Sequence, residues 1–176
     1  MARLKPLPAV WLVSDARNDA ALEAALARLP RGSGFIFRHF HLPPAQRRAR
    51  FAALARIARG RDHVVVLGGT VAQARAWGAG GAYGSPRQLA QGPQGLRLAA
   101  VHSLHELALA RRADLVLLSP AFATRSHPGA APLGPLRFRL LAARAQAPLI
   151  ALGGMNPRTA QRLGWPRWAA IDAFLR

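Results

Sequence analysis

Hydroxyl and imidazole side chains gather in the loop that follows one apolar segment of the chain. The segment Leu115–Leu118 is followed closely by four such side chains, Ser119, Thr124, Ser126 and His127. Hydroxyls, backbone N–H groups and a histidine can all donate hydrogen bonds to phosphoryl oxygens. The cluster is therefore a candidate for the chemistry of the chain, and an ordinary solvated loop is the alternative.

A second candidate lies where another apolar segment, Leu149–Leu152, stops on Gly153 and Gly154. Neither segment alternates polar and apolar residues, which is typical of strands covered on both faces in a parallel sheet. Ligands bind outside the carboxyl ends of such strands. We therefore expect the chemistry to lie near the 119–127 loop and near Gly153.

The whole chain alternates strand-like and helix-like segments. Eight strands are predicted, at Val10–Ser14, Phe35–Arg38, Val64–Leu67, Gly81–Tyr83, Leu96–Val101, Leu115–Leu118, Leu149–Leu152 and Trp168–Ile171. No G-x-G-x-x-G turn follows the first strand, as a dinucleotide-binding open sheet would require. The pattern favours an α/β fold of the (β/α)₈ TIM barrel type, compact, with its last outer helix truncated to one turn after Asp172.

Caps and periodicity mark the helices between these strands. Helices are predicted at Ala16–Leu29, at Pro44–Arg59, from a Thr70 cap to Gly78, from a Ser103–Glu106 capping box to Arg111, and from Asn156-Pro157 to Leu163. In the second of these, Phe51, Leu54 and Ile57 share one helical stripe. The stretch from Pro86 to Gly95 is predicted to be a linker.

Composition limits the class of protein. The 176 residues suit one domain, residues 1–176, although a TIM barrel typically needs about 200 to 250. The chain has no cysteine, which excludes disulfides and thiolate metal sites. It has no apolar run of about 18 residues and no apolar leader, so a soluble cytoplasmic protein without a membrane partner is expected.

The formal net charge is +18, and Lys5 is the only lysine among the basic residues. Such an excess can attract nucleic acid or anionic substrates. The arginines are scattered over almost every predicted helix, however, and aromatic residues do not interleave with them as stacking platforms. We therefore predict no specific nucleic-acid partner, while a phosphorylated small molecule remains compatible with the charge.

The order and spacing of several short motifs in the second half of the chain resemble one family. Val101-His102-Ser103 with Glu106, the run from Ser119 to His127, Pro132-Leu133-Gly134, and Ala151 to Met155 resemble the VHS-x-x-E, GP-x-F-x-T-x-T-K, PLG and IGGI segments of the thiamine phosphate synthase and TenI family. The N-terminal half matches far less well. The resemblance implies a TIM barrel acting in thiamine biosynthesis.

The resemblance also implies a set of phosphate- and substrate-binding positions. Carried onto this chain they are Arg38, Ser119, Thr124, Ser126, His127, Gly153, Gly154, Ile171, Asp172 and Ala173. Two of them depart from the family. His127 replaces a lysine, which makes the charge depend on pH, and Asp172 replaces a serine, which places a carboxylate where a phosphate is expected.

The family's magnesium site is the largest departure. Gly69 and Gln88 stand where the family has two metal-binding aspartates, and only Arg38 remains of a Q-x-R-x-K segment. Magnesium prefers a near-octahedral set of oxygen ligands. We therefore predict no protein metal site, and Mg²⁺ could enter only through the substrate's phosphates.

TenI-type members tautomerise a thiazole with a histidine after strand six and without a metal. Pro120 occupies that position here, so His102, at the end of strand five, becomes the candidate catalytic acid or base. The alternative is a histidine hydrogen-bonded to a neighbouring loop. The other histidines, His39, His41, His63 and His105, lack metal-site spacing.

The resemblance implies that the protein joins hydroxymethylpyrimidine pyrophosphate to thiazole phosphate, or acts on a related phosphorylated heterocycle as a transferase. A TenI-like isomerase and a non-catalytic barrel that binds such a ligand as a sensor or scaffold are the alternatives. The sequence thus leaves open whether the protein is an enzyme, and a transferase is the favoured interpretation. Because the truncated last helix would leave apolar surface uncovered, a homo-oligomer is also expected.

Overall fold

Eight parallel strands close into a barrel in which every strand pairs with its neighbours in sequence order and β8 pairs with β1. The computed structural model describes residues 7–125, 129 and 131–175. The (β/α)₈ topology predicted from the alternating segments is thereby confirmed.

The strands and helices have the following bounds. The strands are β1 Val10–Val13, β2 Gly34–Phe37, β3 Val64–Gly68, β4 Gly81–Gly84, β5 Leu96–Val101, β6 Leu115–Leu118, β7 Leu149–Ala151 and β8 Trp168–Ala170. The helices are a 3₁₀ helix Ala16–Ala21, then α1 Leu22–Arg28, α2 Pro44–Gly60, α3 Val71–Ala76, α4 Pro86–Leu89, α5 Leu104–Leu109, α6 Gly134–Ala142 and α7 Pro157–Leu163.

Side chains alternate between two apolar layers along each strand. In β1, Trp11 and Val13 fill the inside of the barrel, whereas Leu12 packs outward against the helices. A Cβ on Gly34, directly across from Trp11, would overlap the indole ring, so glycine is required there. This packing makes the barrel interior solid and leaves ligand space only at its ends.

One prediction about the helices was wrong. The segment predicted as a linker contains α4, because Ser85 caps it by accepting a hydrogen bond from the Gln88 N–H and Pro86 starts its first turn. After β8, the described residues form the single turn expected there, closed by a 3.3 Å bond from the Leu175 N–H to the Asp172 carbonyl. This turn is not a helix, so it offers an anion no helix dipole.

Asn18 closes the barrel at its carboxyl end. Its side-chain amide donates to the Val13 carbonyl at 3.0 Å and to the Ile171 carbonyl at 2.9 Å, joining the ends of β1 and β8.

None of the helices in the described ranges is long and apolar enough to cross a bilayer.

Candidate functional site

A cavity of about 640 Å³ opens at the carboxyl end of the barrel, where ligands bind in this fold. Its floor and walls combine apolar and polar groups from strands β4 and β8 and from the segments that follow β2, β5, β6, β7 and β8. Its polar groups include the side chains of Arg38, Tyr83, His102, Ser119, Thr124, Arg125 and Asp172, together with the Gly153-Gly154 turn.

Nine of the residues that sequence reasoning placed at the site line this one cavity. They are Arg38, His102, Ser119, Thr124, Gly153, Gly154, Ile171, Asp172 and Ala173. His102, Ser119 and Gly153 thus lie together at one mouth of the barrel. Ser126 and His127 lie outside the described residues.

The turn after β7 can only be made by glycines. Gly153 has φ of 93° and Gly154 has φ of 63°, and a Cβ on Gly153 would lie 2.7 Å from Cα of Pro120. A Cβ on Gly154 would overlap the Ala123 carbonyl oxygen. Neither glycine N–H donates to another group among the described residues, so both amides remain available to an anion.

The loop after β6 is held against this turn by backbone hydrogen bonds. The Ala121 N–H donates to the Leu152 carbonyl at 2.8 Å, and the Phe122 N–H donates to the Gly153 carbonyl at 3.0 Å. These bonds fix Ser119 and the loop leading to Thr124 at the edge of the cavity. The loop and the turn therefore form one wall.

His102 is oriented from both sides. Its backbone N–H donates to the Glu106 carboxylate at 2.6 Å, so Glu106 reaches one residue further back than the predicted capping box with Ser103 requires. Its Nδ1 lies 3.2 Å from the Ser119 carbonyl oxygen and 3.0 Å from the Ser119 hydroxyl. A proton on Nδ1 satisfies the carbonyl contact, and Nε2 then carries the lone pair that a general base needs.

Arg38 enters the cavity from the end of β2. Its backbone N–H donates to the Ser14 hydroxyl at 2.8 Å, and its carbonyl accepts from Nε of Arg47 at 2.8 Å. Nε of Arg38 is buried without a hydrogen-bond partner, and no carboxylate of the described chain pairs with its guanidinium. The guanidinium lies 5.9 Å from the centre of the Phe40 ring, and its hydrogen-bonding capacity is unused among the described residues.

An arginine accompanies the unexpected carboxylate of Asp172. A guanidinium nitrogen of Arg125 lies 2.8 Å from the Asp172 carboxylate, with the two side chains 81% and 36% exposed. Sequence reasoning named Asp172 but missed Arg125, because the partners are 47 positions apart. The pair offsets the negative charge that would otherwise face a phosphate.

Tyr83 at the end of β4 was also missed, since β4 carries a weak strand signal. Burial raises the pKa of the Tyr83 phenol, although the nearby Arg38 charge acts in the opposite direction. The phenol therefore stays protonated at neutral pH and can donate a hydrogen bond into the cavity.

The family's magnesium does not fit the residues present at this site. No group of three His, Cys, Asp or Glu side chains within the described ranges is close enough to share a metal ion. Gly69 supplies no side chain, and the Gln88 side chain lies against Gly84 rather than beside a second carboxylate. A hard cation that requires several oxygen ligands thus has no protein cage here.

Comparison with known proteins gives a fold and a family. Thiamine phosphate pyrophosphorylase from Pyrococcus furiosus is similar in structure, with 22% identity, a TM-score of 0.75, and coverage of 93% of this chain and 85% of that one. A thiamine phosphate pyrophosphorylase from Bacteroides thetaiotaomicron shares 14% identity with a TM-score of 0.62, covering 95% and 84%.

The fold alone also extends to other enzymes. The YdjI aldolase from Escherichia coli K12 has 11% identity and a TM-score of 0.61, with coverage of 94% of this chain and 75% of that one. No curated protein matches the sequence significantly. The family model described as thiamine monophosphate synthase, however, matches residues 10–166, from the start of β1 to the segment before β8. This chain therefore belongs to the thiamine monophosphate synthase family.

Proposed function

We propose that the protein is a transferase of thiamine biosynthesis that joins hydroxymethylpyrimidine pyrophosphate to thiazole phosphate, or couples a closely related phosphorylated heterocycle. Membership of the family implies phosphorylated small-molecule substrates. The observation that supports this proposal most strongly is a cavity with anion-binding groups on two opposite walls.

The first wall, called the arginine rim, consists of Arg38, which follows β2, and Tyr83 in β4. Arg38 supplies a permanent positive charge that forms no ion pair with a carboxylate of the described residues, although the Asp15 carboxylate is near enough to interact with it electrostatically. A guanidinium can bind two oxygens of a pyrophosphate at once. The arginine rim is thus suited to the pyrophosphate that leaves when the two heterocycles are joined.

The second wall, called the glycine rim, consists of Ser119, Thr124, Gly153, Gly154 and Asp172. It offers backbone N–H groups and hydroxyls, which hold a phosphate without a strong net charge. The glycine rim suits the phosphate of the thiazole, which is bound but not broken. Apolar groups such as Leu152 and Ile171 line the same cavity and can pack against the rings.

Joining the two substrates forms a bond to the thiazole ring and breaks the bond from the pyrimidine's methylene to pyrophosphate. Negative charge grows on the departing oxygen, so donors placed beside it lower the barrier. Arg38 and the Tyr83 phenol are the groups of this chain assigned that role. Since the protein provides no cage for Mg²⁺, any such ion would arrive bound to the substrate's phosphates.

Turnover tests this proposal. The protein is incubated with both substrates, with Mg²⁺ or with a chelator, and release of pyrophosphate is measured together with the coupled product by mass spectrometry. We expect the two products in equal amounts. Binding of both substrates without product under either condition would refute the transferase and leave a non-catalytic binder.

A second candidate function is isomerisation of a thiazole by acid–base catalysis. It is favoured by one contact, in which the His102 ring lies against Ser119, the residue before the Pro120 that replaces the TenI histidine. If His102 is the base, His102→Gln should slow exchange or isomerisation of thiazole phosphate, followed by NMR, about 100-fold or more. An unchanged rate, or no reaction in the parent, would refute this function.

A further inference from the structure

A buried chain of hydrogen bonds runs behind the arginine rim. Nδ1 of His39 lies 2.8 Å from the Ser14 hydroxyl, and Nε2 of His39 lies 2.7 Å from the Asp19 carboxylate. The Ser14 hydroxyl in turn accepts the Arg38 N–H at 2.8 Å. Ser14 is fully buried and His39 is 1% exposed, so solvent does not compete for the Ser14–His39 bond, whereas the Asp19 side chain at the outer end is 38% exposed.

Only one arrangement of protons satisfies every member of this chain with neutral His39. The Arg38 N–H occupies a lone pair of the Ser14 oxygen, so the hydroxyl hydrogen is directed to Nδ1 of His39. The remaining ring proton is then on Nε2 and is donated to Asp19. All donors point in one direction, an arrangement in which each bond strengthens the next.

The same three residue types form the nucleophilic triads of hydrolases, but this chain cannot work in that way. The Ser14 hydroxyl is fully buried and already holds the Arg38 amide, so a substrate cannot reach it. His39 also has φ of 38°, a left-handed conformation that is uncommon outside glycine and is found where surrounding structure enforces it. The residue after Arg38 is therefore held in a strained backbone conformation.

We propose that Ser14, His39 and Asp19 are positioning residues that hold Arg38 at the cavity, so that the anion affinity of the arginine rim depends on this buried relay. The inference deepens the proposed function, on which its ligand-binding part rests. The relay fixes the backbone of Arg38 at its N–H, while Arg47 donates a hydrogen bond to the carbonyl of Arg38 itself. The side chain itself is left unpaired to meet an anion.

Several charged and aromatic groups surround His39 and set its protonation. Asp19 comes from the 3₁₀ helix, Arg50 from α2, and His41 and Phe37 from the β2 segment; the Phe37 ring stacks on the imidazole at 4.7 Å. Burial lowers the pKa of His39, while the bond to Asp19 opposes that change and the His41 and Arg50 charges add to it. A neutral ring, as the proton arrangement above requires, is thus favoured near neutral pH.

His63 provides a matched control for His39. It is also buried, at 5% exposure, and its Nε2 contacts the Leu26 carbonyl at 3.0 Å. It lies just before β3, at the amino end of the barrel, so it cannot influence the cavity directly. His39→Leu and His63→Leu should both lower the melting temperature, which controls for loss of stability.

The test measures binding of inorganic pyrophosphate by calorimetry to the parent and to these variants. We expect His39→Leu to weaken binding about tenfold, and His63→Leu to change it less than about twofold. In an Arg38→Met background, His39→Leu should have almost no further effect. A tenfold loss that persists without Arg38, or equal losses for the two histidine variants, would overturn the relay.

Hydrogen exchange of the Arg38 backbone amide, followed by NMR, tests the relay without any ligand. We expect faster exchange in His39→Leu and in the milder Ser14→Ala, but not in His63→Leu. If the parent binds no pyrophosphate, the proposed function fails, but the exchange measurement still shows whether the relay positions Arg38. Unchanged Arg38 exchange in Ser14→Ala would refute it.

Discussion

The two walls of the cavity present hydrogen-bond donors to a proposed anion by opposite means. The arginine rim depends on buried side-chain bonds, since Arg38 is held through Ser14 and His39 and by Arg47. The glycine rim depends on backbone shape, with positive φ at Gly153 and Gly154. The arginine rim should therefore be sensitive to changes of side-chain chemistry, whereas the glycine rim should be sensitive to any added atom.

The largest effect is expected from Gly154→Ala on the glycine rim. An alanine at this position must adopt a left-handed φ, and its Cβ would overlap the Ala123 carbonyl oxygen. We therefore expect a loss of about 2–4 kcal/mol in the free energy of unfolding. Gly32 has φ of 75° with open space around it, so Gly32→Ala should cost only about 1–2 kcal/mol. Denaturant unfolding of both variants measures the difference; equal costs would show that the turn is not tightly packed.

Arg38→Met tests the other wall. Losing a charge-assisted hydrogen bond should weaken pyrophosphate binding by about 1.5–3 kcal/mol, or roughly 10- to 100-fold, by calorimetry. Arg167→Met removes the same charge at the amino end of β8 and should leave the affinity nearly unchanged. Similar losses in both variants would mean that net charge, not Arg38, binds the anion.

Magnesium binding distinguishes this cavity from one with a metal cage. The free protein should bind Mg²⁺ negligibly, and Gly69→Asp with Gln88→Asp should strengthen binding at least about tenfold. Gly69 has φ of 155° and a Cβ there would displace the Gln73 side chain, so the double variant should also be less stable. Millimolar or tighter binding by the unmodified protein would show that other ligands hold the ion.

The pH dependence of stability provides a smaller test of the buried histidines. Burial lowers the pKa values of both His39 and His63, so the unfolded chain binds more protons than the folded one just below their ordinary value of 6.5. Stability should therefore be full above pH 6.5 and fall as the pH drops toward the lowered values. His39→Leu and His63→Leu should each flatten this fall in pH-dependent unfolding, and an unchanged slope would contradict it.

The smallest effect is expected from Asp172→Ser. The carboxylate is already paired with the exposed Arg125, and such surface pairs are worth at most about 1 kcal/mol. Removing it frees Arg125, so phosphate should bind about two- to threefold more tightly by calorimetry. Weaker binding in this variant would mean that Asp172 contributes to the ligand site directly.

The barrel could be predicted from the sequence because the patterns that define its strands and helices are local. The apolar runs of β5 and β6 have the bounds predicted, Leu96–Val101 and Leu115–Leu118, and the Thr70 and Asn156 caps start α3 and α7. The helix α4 was missed because its four residues are too few to show the 3.6-residue spacing of apolar side chains.

The site was only partly readable because its key contacts join distant positions. Ser14 and His39 are 25 positions apart, and neither belongs to a motif that sequence reasoning recognised. His39 was considered only for metal spacing, which it lacks. Spacing along a chain does not reveal a hydrogen-bond relay between two strand ends, whereas the glycine pair was visible because its chemistry is backbone chemistry.

The most direct test of the central claim is calorimetric titration of thiazole phosphate and of inorganic pyrophosphate into the parent at pH 6 and pH 8. We predict binding of both, tighter at pH 6 after each ligand's own ionisation is subtracted, with His127→Ala flattening the difference by about 1 kcal/mol. No binding of either ligand at either pH, in the parent and in Asp172→Ser alike, would contradict a phosphate-binding cavity.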